Sequence, residues 1–210
     1  MEAYLTARER VVADGFAAEI DWQDGQCLER VSESEFLREA AWVILSAGMR
    51  ETVVRGRFGA ISKAFLDWRS AVAIAECRPQ CVQRALDAFR HPGKIEAIGS
   101  MATLVAEVGF DAYRDRLRVD GLNELQRLPF IGPVTRFHLA KNLGLDVVKP
   151  DRHLVRMASA AGFAGADNMC RVVAEVTGDR LATIDIVLWR FATLERDYLK
   201  WFQPSERLVA

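Results

Sequence analysis

Glycine and proline cut this chain into short runs of helical spacing, and nowhere does an apolar–polar alternation persist long enough to make a half-buried strand. A chain built that way buries its apolar stripes by packing helix against helix, so the expected fold class is all-α, with roughly ten short helices. Hydrophobic residues make up 50% of the 210, enough for a sizeable core in one large domain or two small interleaved ones. Local signals agree. Ser32 stands three residues before Glu35, a capping box opening the helix that holds the apolar run Ala40 to Ala47. Pro79 suits the first turn of another helix, and Gly144 the C-terminal end of the one that begins near Pro133. Residues 1–20 carry helix formers and an apolar stripe, followed by a polar break around Gly25.

Several function classes are not expected. No apolar run is long enough to cross a bilayer, and MEAYLTARERVVADGF lacks the basic start and apolar stretch of a secretory leader. Cys27, Cys77, Cys81 and Cys170 lack the paired spacing of a zinc or iron–sulfur site and read as ordinary thiols of a reducing cytoplasm. His91, His138 and His153 are too scattered to suggest a metal set. The formal net charge of -1 does not mark a polyanion binder. Its distribution is uneven, however. Nine acids face only Arg8, Arg10 and Arg30 in the first thirty-five residues, whereas Arg127, Arg136, Lys141, Lys149, Arg152 and Arg156 outnumber Asp146 and Asp151 between 127 and 156. A local basic face can bind nucleic acid although the whole chain is near neutral, but it is also common on solvated surfaces.

That basic stretch contains LPFIGPVTRFHLAKNLGLDVVKPDRHLVR, from Leu128 to Arg156. Gly132 can take a backbone conformation closed to other residues, and Pro133 fixes φ at the start of a helix. Val134, Thr135 and Arg136 would then present first-turn N–H groups without intrahelical partners, a seat for phosphate to which the Thr135 hydroxyl could add. The bland alternative is a tight hairpin between core helices, filled by Leu128, Ile131 and Leu139. Asp151, just after Pro150, could cap its helix through the amides of His153 or Leu154.

This segment resembles the helix-hairpin-helix and the following Pro-Asp of the DNA glycosylase superfamily that includes endonuclease III and the bacterial alkylpurine glycosylases. The matched core covers about thirty residues. FLREAAWVILSAGMRETVVRGRFGAISKAF is similar to the early helices of that superfamily and TIDIVLWRF to its final helix. The resemblance implies a helix-hairpin-helix DNA glycosylase fold of two interleaved helical lobes with a cleft between them. One lobe would be discontinuous, residues 1–35 and 151–210; the other would be a core of 36–150 ending in the hairpin at about 121–144. It carries the superfamily's essential aspartate onto Asp151. Bifunctional members have a Schiff-base lysine where this chain has Val134, which has no nucleophilic atom, so a monofunctional, water-using enzyme is implied. Gly48 stands where many relatives have a gap-filling glutamine, leaving Met49 or Arg50 for that role, with His153 orienting the site. The resemblance requires no cofactor and leaves room for a monovalent cation held by hairpin carbonyls.

The implied chemistry suits these residues. Breaking an N-glycosidic bond develops positive charge on C1′ and the ring oxygen, which a carboxylate stabilises while orienting or deprotonating water. Phosphate contacts are expected from Gly132, Val134, Thr135, Arg136, Lys149 and Arg152. A flipped base needs a pocket, for which Trp42, Glu39, Trp22 and Phe16 are candidates, although Trp42, like Trp189, suits core packing as well. The expected partner is damaged double-stranded DNA, met by a monomer in a bacterial-type cytoplasm at the nucleoid. An alkylated purine is the first choice of substrate, since its cationic ring is already a good leaving group. Three alternatives stay open: a glycosylase/lyase with a displaced lysine, Lys149 or Lys141; a non-catalytic DNA-binding hairpin protein; and a helical protein with no nucleic acid partner.

Overall fold

A computed structural model describes residues 1–203, which are helical with no strand among them. In chain order they form α1 (Glu2–Ala13), α2 (Ala17–Asp24), α3 (Glu33–Ser46), α4 (Glu51–Ala64), α5 (Ala71–Glu76) and α6 (Arg78–Ala88). These are followed by α7 (Pro92–Val108), α8 (Phe110–Gln126), α9 (Thr135–Asn142), α10 (Arg152–Ala160), α11 (Ala166–Thr177) and α12 (Leu181–Leu194). Short 3-10 turns occur at Leu28–Arg30, Leu66–Trp68 and Tyr198–Phe202. No described helix is long and apolar enough to cross a membrane. The described chain divides into two compact units, one made of residues 1–26 with 144–203, the other of Cys27–Leu143.

The first unit is built on α12, whose Ile184, Val187, Leu188 and Phe191 are buried with Tyr4, Ala7 and Val11 of α1 and Leu154 and Met157 of α10. Gly15, at φ 89°, ends α1 inside the stretch whose apolar stripe runs on, and α2 then extends through the polar residues to Asp24. Tyr4 donates its hydroxyl to Asp179, which also pairs with Arg8. Arg180 gathers the chain ends of this unit: Nη1 donates to the carbonyls of Asp24 and Gln26 at 2.9 Å each, and Nη2 to that of Gly144 at 2.9 Å.

The division therefore falls at Gln26 and Gly144 rather than at residues 35 and 151. Residues 27–35 go with the second unit because the capping box of Ser32 and Glu35 opens α3 and Arg114 donates to Val31 O at 3.2 Å. Residues 144–150 go with the first because Asp146 accepts from Ala182 N at 3.0 Å, Asp185 from Lys149 N at 2.6 Å, and Val148 joins the core. The last seven residues of the expected discontinuous lobe, 204–210, lie outside the described residues.

In the second unit α3 is the buried element, with Phe36, Leu37, Ala40, Ala41, Val43, Ile44 and Leu45 all inside. Helix α7 packs against α3 and α5, and α8 pairs with α9. Asp120, at φ −144° and ψ 51°, kinks α8, so only its last turns form the first arm of the hairpin.

Candidate active site

The hairpin closes on itself through short bonds. Ile131 N donates to Leu128 O at 3.1 Å and Arg136 N to Gly132 O at 3.0 Å. The Thr135 hydroxyl accepts from Gly132 N at 2.7 Å and donates to Gly132 O at 3.3 Å. It is therefore engaged within the turn rather than offered to a ligand. The left-handed residue is Phe130, at φ 63°, not Gly132. Tertiary contacts hold that conformation, which costs a non-glycine residue about 1–2 kcal/mol. The Phe130 ring meets His91 edge-on at 6.0 Å and lies over Gly93, where a Cβ would come within 3.0 Å of it. Gly132 is required neither by φ nor by its neighbours, since a Cβ there would meet only Thr135 Oγ1 at 3.9 Å. What its missing side chain does leave is a backbone face open to close approach.

The second arm, α9, starts at Thr135 rather than Pro133, with Val134 as its N-cap and no side-chain cap. Arg136 has given its amide to Gly132 O, but the amides of Val134 and Thr135 donate to no acceptor among the described residues. Val134 is 45% exposed. The Arg136 guanidinium ties the two arms together, donating to Gln126 Oε1 at 2.6 Å and Asn123 Oδ1 at 3.2 Å. Of the carbonyls that could hold a monovalent cation, that of Gly132 already accepts from both Arg136 N and the Thr135 hydroxyl and has no lone pair left. That carbonyl is taken up within the turn.

In the other unit Asp151 is the N-cap of α10. Its Oδ1 accepts from His153 N at 2.8 Å and Leu154 N at 3.1 Å, while Oδ2 accepts from none of the described residues. The approach to it is fixed from behind. Lys149 N is held by Asp185, a carboxylate 2% exposed in the middle of α12, and Asp151 N donates to Lys149 O at 2.7 Å. Arg152 Nε donates to His153 Nε2 at 3.3 Å, and His153 Nδ1 lies 3.0 Å from the Tyr198 hydroxyl. A guanidinium can only donate, so Nε2 accepts and the ring proton sits on Nδ1, donating to Tyr198. Burial pushes the His153 pKa down, against the pull of Asp151 and with the help of Arg152, Arg156 and Lys149.

The arrangement of helices that carries the hairpin and Asp151 is shared with a solved structure. The Methanocaldococcus jannaschii 8-oxoguanine glycosylase/lyase, in complex with a 15mer DNA containing 8-oxoguanine, matches 93% of this chain and 99% of its own with a TM-score of 0.62 at 18% identity. The fold is that of a helix-hairpin-helix DNA glycosylase. No family model matches the sequence, and no curated protein matches it.

Within this glycosylase fold the four base-pocket candidates divide between the units. Glu39 and Trp42 lie on α3 in one, Phe16 and Trp22 at α2 in the other. Glu39 accepts from Asn142 Nδ2 at 2.9 Å and pairs with Arg38 at 3.2 Å. Trp42 meets Phe58 edge-on at 5.2 Å and carries the Arg55 guanidinium 5.5 Å above its ring. Phe16 likewise lies under Arg190, at 4.3 Å, and Trp22 is 43% exposed. Met49 and Arg50 are exposed in the turn from α3 to α4, which Gly48 makes at φ 68°. Arg152 is exposed and Lys149 half-buried.

Two residues of the glycosylase fold escaped the sequence reading. Asp185 had a signal, an acid amid the apolar TIDIVLWRF. Lys94 had one too: it falls on the stripe of Ile98, Met101 and Val105, at the buried positions of α7.

Proposed function

We propose that this chain is a monofunctional DNA N-glycosylase of base excision repair, which flips a damaged base and hydrolyses its N-glycosidic bond with water aligned by Asp151. One observation carries the proposal. The Asp151 carboxylate uses one oxygen to cap its helix and keeps the other uncommitted, on a fold shared with an enzyme crystallised on lesion-bearing DNA.

As the bond to the base lengthens, its electron pair leaves with the base and positive charge grows on C1′ and the ring oxygen. Oδ2 stabilises that charge, while Oδ1 stays pinned by two amides and keeps the carboxylate from rotating. Water adds to C1′ and gives up its proton, which the carboxylate can accept. No covalent sugar adduct forms at the hairpin, because Val134 has no nucleophilic atom. The free amides of Val134 and Thr135 receive a backbone phosphate, and the open face of Gly132 admits it. An alkylated purine is the proposed substrate. Its ring is cationic, so the base leaves as a neutral group and asks less of the protein than a normal glycosidic bond does.

A panel of duplexes, each with one lesion, tests this, with free base and strand cleavage assayed separately. Release of an alkylpurine without strand cleavage is expected; strand cleavage coupled to release would overturn the monofunctional assignment. The second reading, a glycosylase/lyase acting on 8-oxoguanine, is favoured by the activity of the similar solved enzyme. Its lysine would be Lys149 or Lys141, the latter only 5% exposed. Borohydride trapping on abasic DNA gives a covalent adduct in that case and none in the first.

A further inference from the structure

Lys94, in the first turn of α7, is 3% exposed, and its Nζ donates to Leu45 O at 2.6 Å and Ala47 O at 2.5 Å. Burial alone pushes its pKa down, with no facing carboxylate to offset it. An ammonium buried without an acid is a poor way to stabilise a core, and a methionine would fill the same space. What the ammonium does define is the end of α3. It grips the last carbonyls before Gly48, so it sets how the exposed turn carrying Met49 and Arg50 leaves that helix.

The same turn of α7 also touches the hairpin. His91, whose Nδ1 accepts from Lys94 N at 3.3 Å, meets the Phe130 ring edge-on, and Gly93 lies beneath that ring. One helical turn thus holds two exposed loops at once. We infer that Lys94 is a positioning residue that fixes the α3–α4 turn in register with the hairpin, so that Met49 and Arg50 enter the duplex beside the phosphate the hairpin holds. This rests on the DNA-glycosylase proposal.

The test uses a duplex with a tetrahydrofuran abasic site opposite 2-aminopurine, whose fluorescence rises when the orphan base is unstacked. The wild type is expected to bind and raise the signal. Lys94→Met should bind within about threefold of wild type and lose most of the rise. A full rise in a folded Lys94→Met protein overturns the inference. If the variant does not fold, hydrogen exchange of the wild type decides. Abasic DNA should protect residues 46–51 together with 130–135. Protection of 130–135 alone overturns the role of Lys94 and leaves DNA binding standing; protection of neither overturns both.

Discussion

Two helices that follow each other in the chain open in opposite ways. At α10 the protein supplies its own anion, and Asp151 Oδ1 takes up the amides of His153 and Leu154. At α9 no side chain caps the helix, Thr135 is turned into the loop, and the amides of Val134 and Thr135 stay unclaimed. Both mouths carry the same partial positive charge. The first uses it to fix a carboxylate whose second oxygen stays uncommitted; the second leaves its amides uncommitted. An unfilled helix mouth sacrifices about 1 kcal/mol that a Ser, Thr or Asp cap would provide.

The contrast can be broken by substitution. The largest effect is expected from Asp151→Asn. Asparagine caps as well as aspartate, so melting should be nearly unchanged. Single-turnover base release should nevertheless fall by about 10²–10³-fold, because the charge is gone. Retained release would remove the chemical half of the contrast. Next comes Val134→Asp, which puts a negative charge at the open mouth. DNA affinity, measured by titration at fixed salt, should weaken by about tenfold or more; unchanged affinity would mean that no phosphate sits there. Asp151→Ala sharpens the structural half: α10 loses its cap and denaturant unfolding should show a loss of about 1 kcal/mol beyond Asp151→Asn.

The smallest effect is a pH slope. The His153 pKa is depressed in the folded state by burial, so the unfolded chain binds more protons below the ordinary histidine value near 6.5. Its stabilising contribution is present above that value and is lost as pH falls through the lower folded one. Melting temperatures between about pH 7 and 5 should fall less steeply in His153→Gln than in wild type.

What was legible in the sequence was what neighbours along the chain decide. The capping box of Ser32 and Glu35, the cap at Asp151 and the left-handed Gly144 all depend on residues within one turn. What was hidden depends on partners far away. Gly132 looked like the strained corner, yet the left-handed residue is Phe130, whose ring packs on His91 and Gly93. Lys94 falls on a buried stripe, but what it holds there, the carbonyls of Leu45 and Ala47, lies forty-nine and forty-seven positions away. The limits of the units were misjudged for the same reason. Nothing near Gln26 or Gly144 announces that Arg180 will bind both.

Arg180 has a consequence for how the chain is made. Residues 27–143 are contiguous and can collapse as they leave the ribosome. The first twenty-six cannot reach their place until α12, which carries most of their packing partners, has been synthesised. At ordinary elongation rates that delay is on the order of ten seconds. Tyr4, Ala7 and Val11 wait through it without a core, which leaves residues 1–26 open to chaperones and proteases until α12 is made.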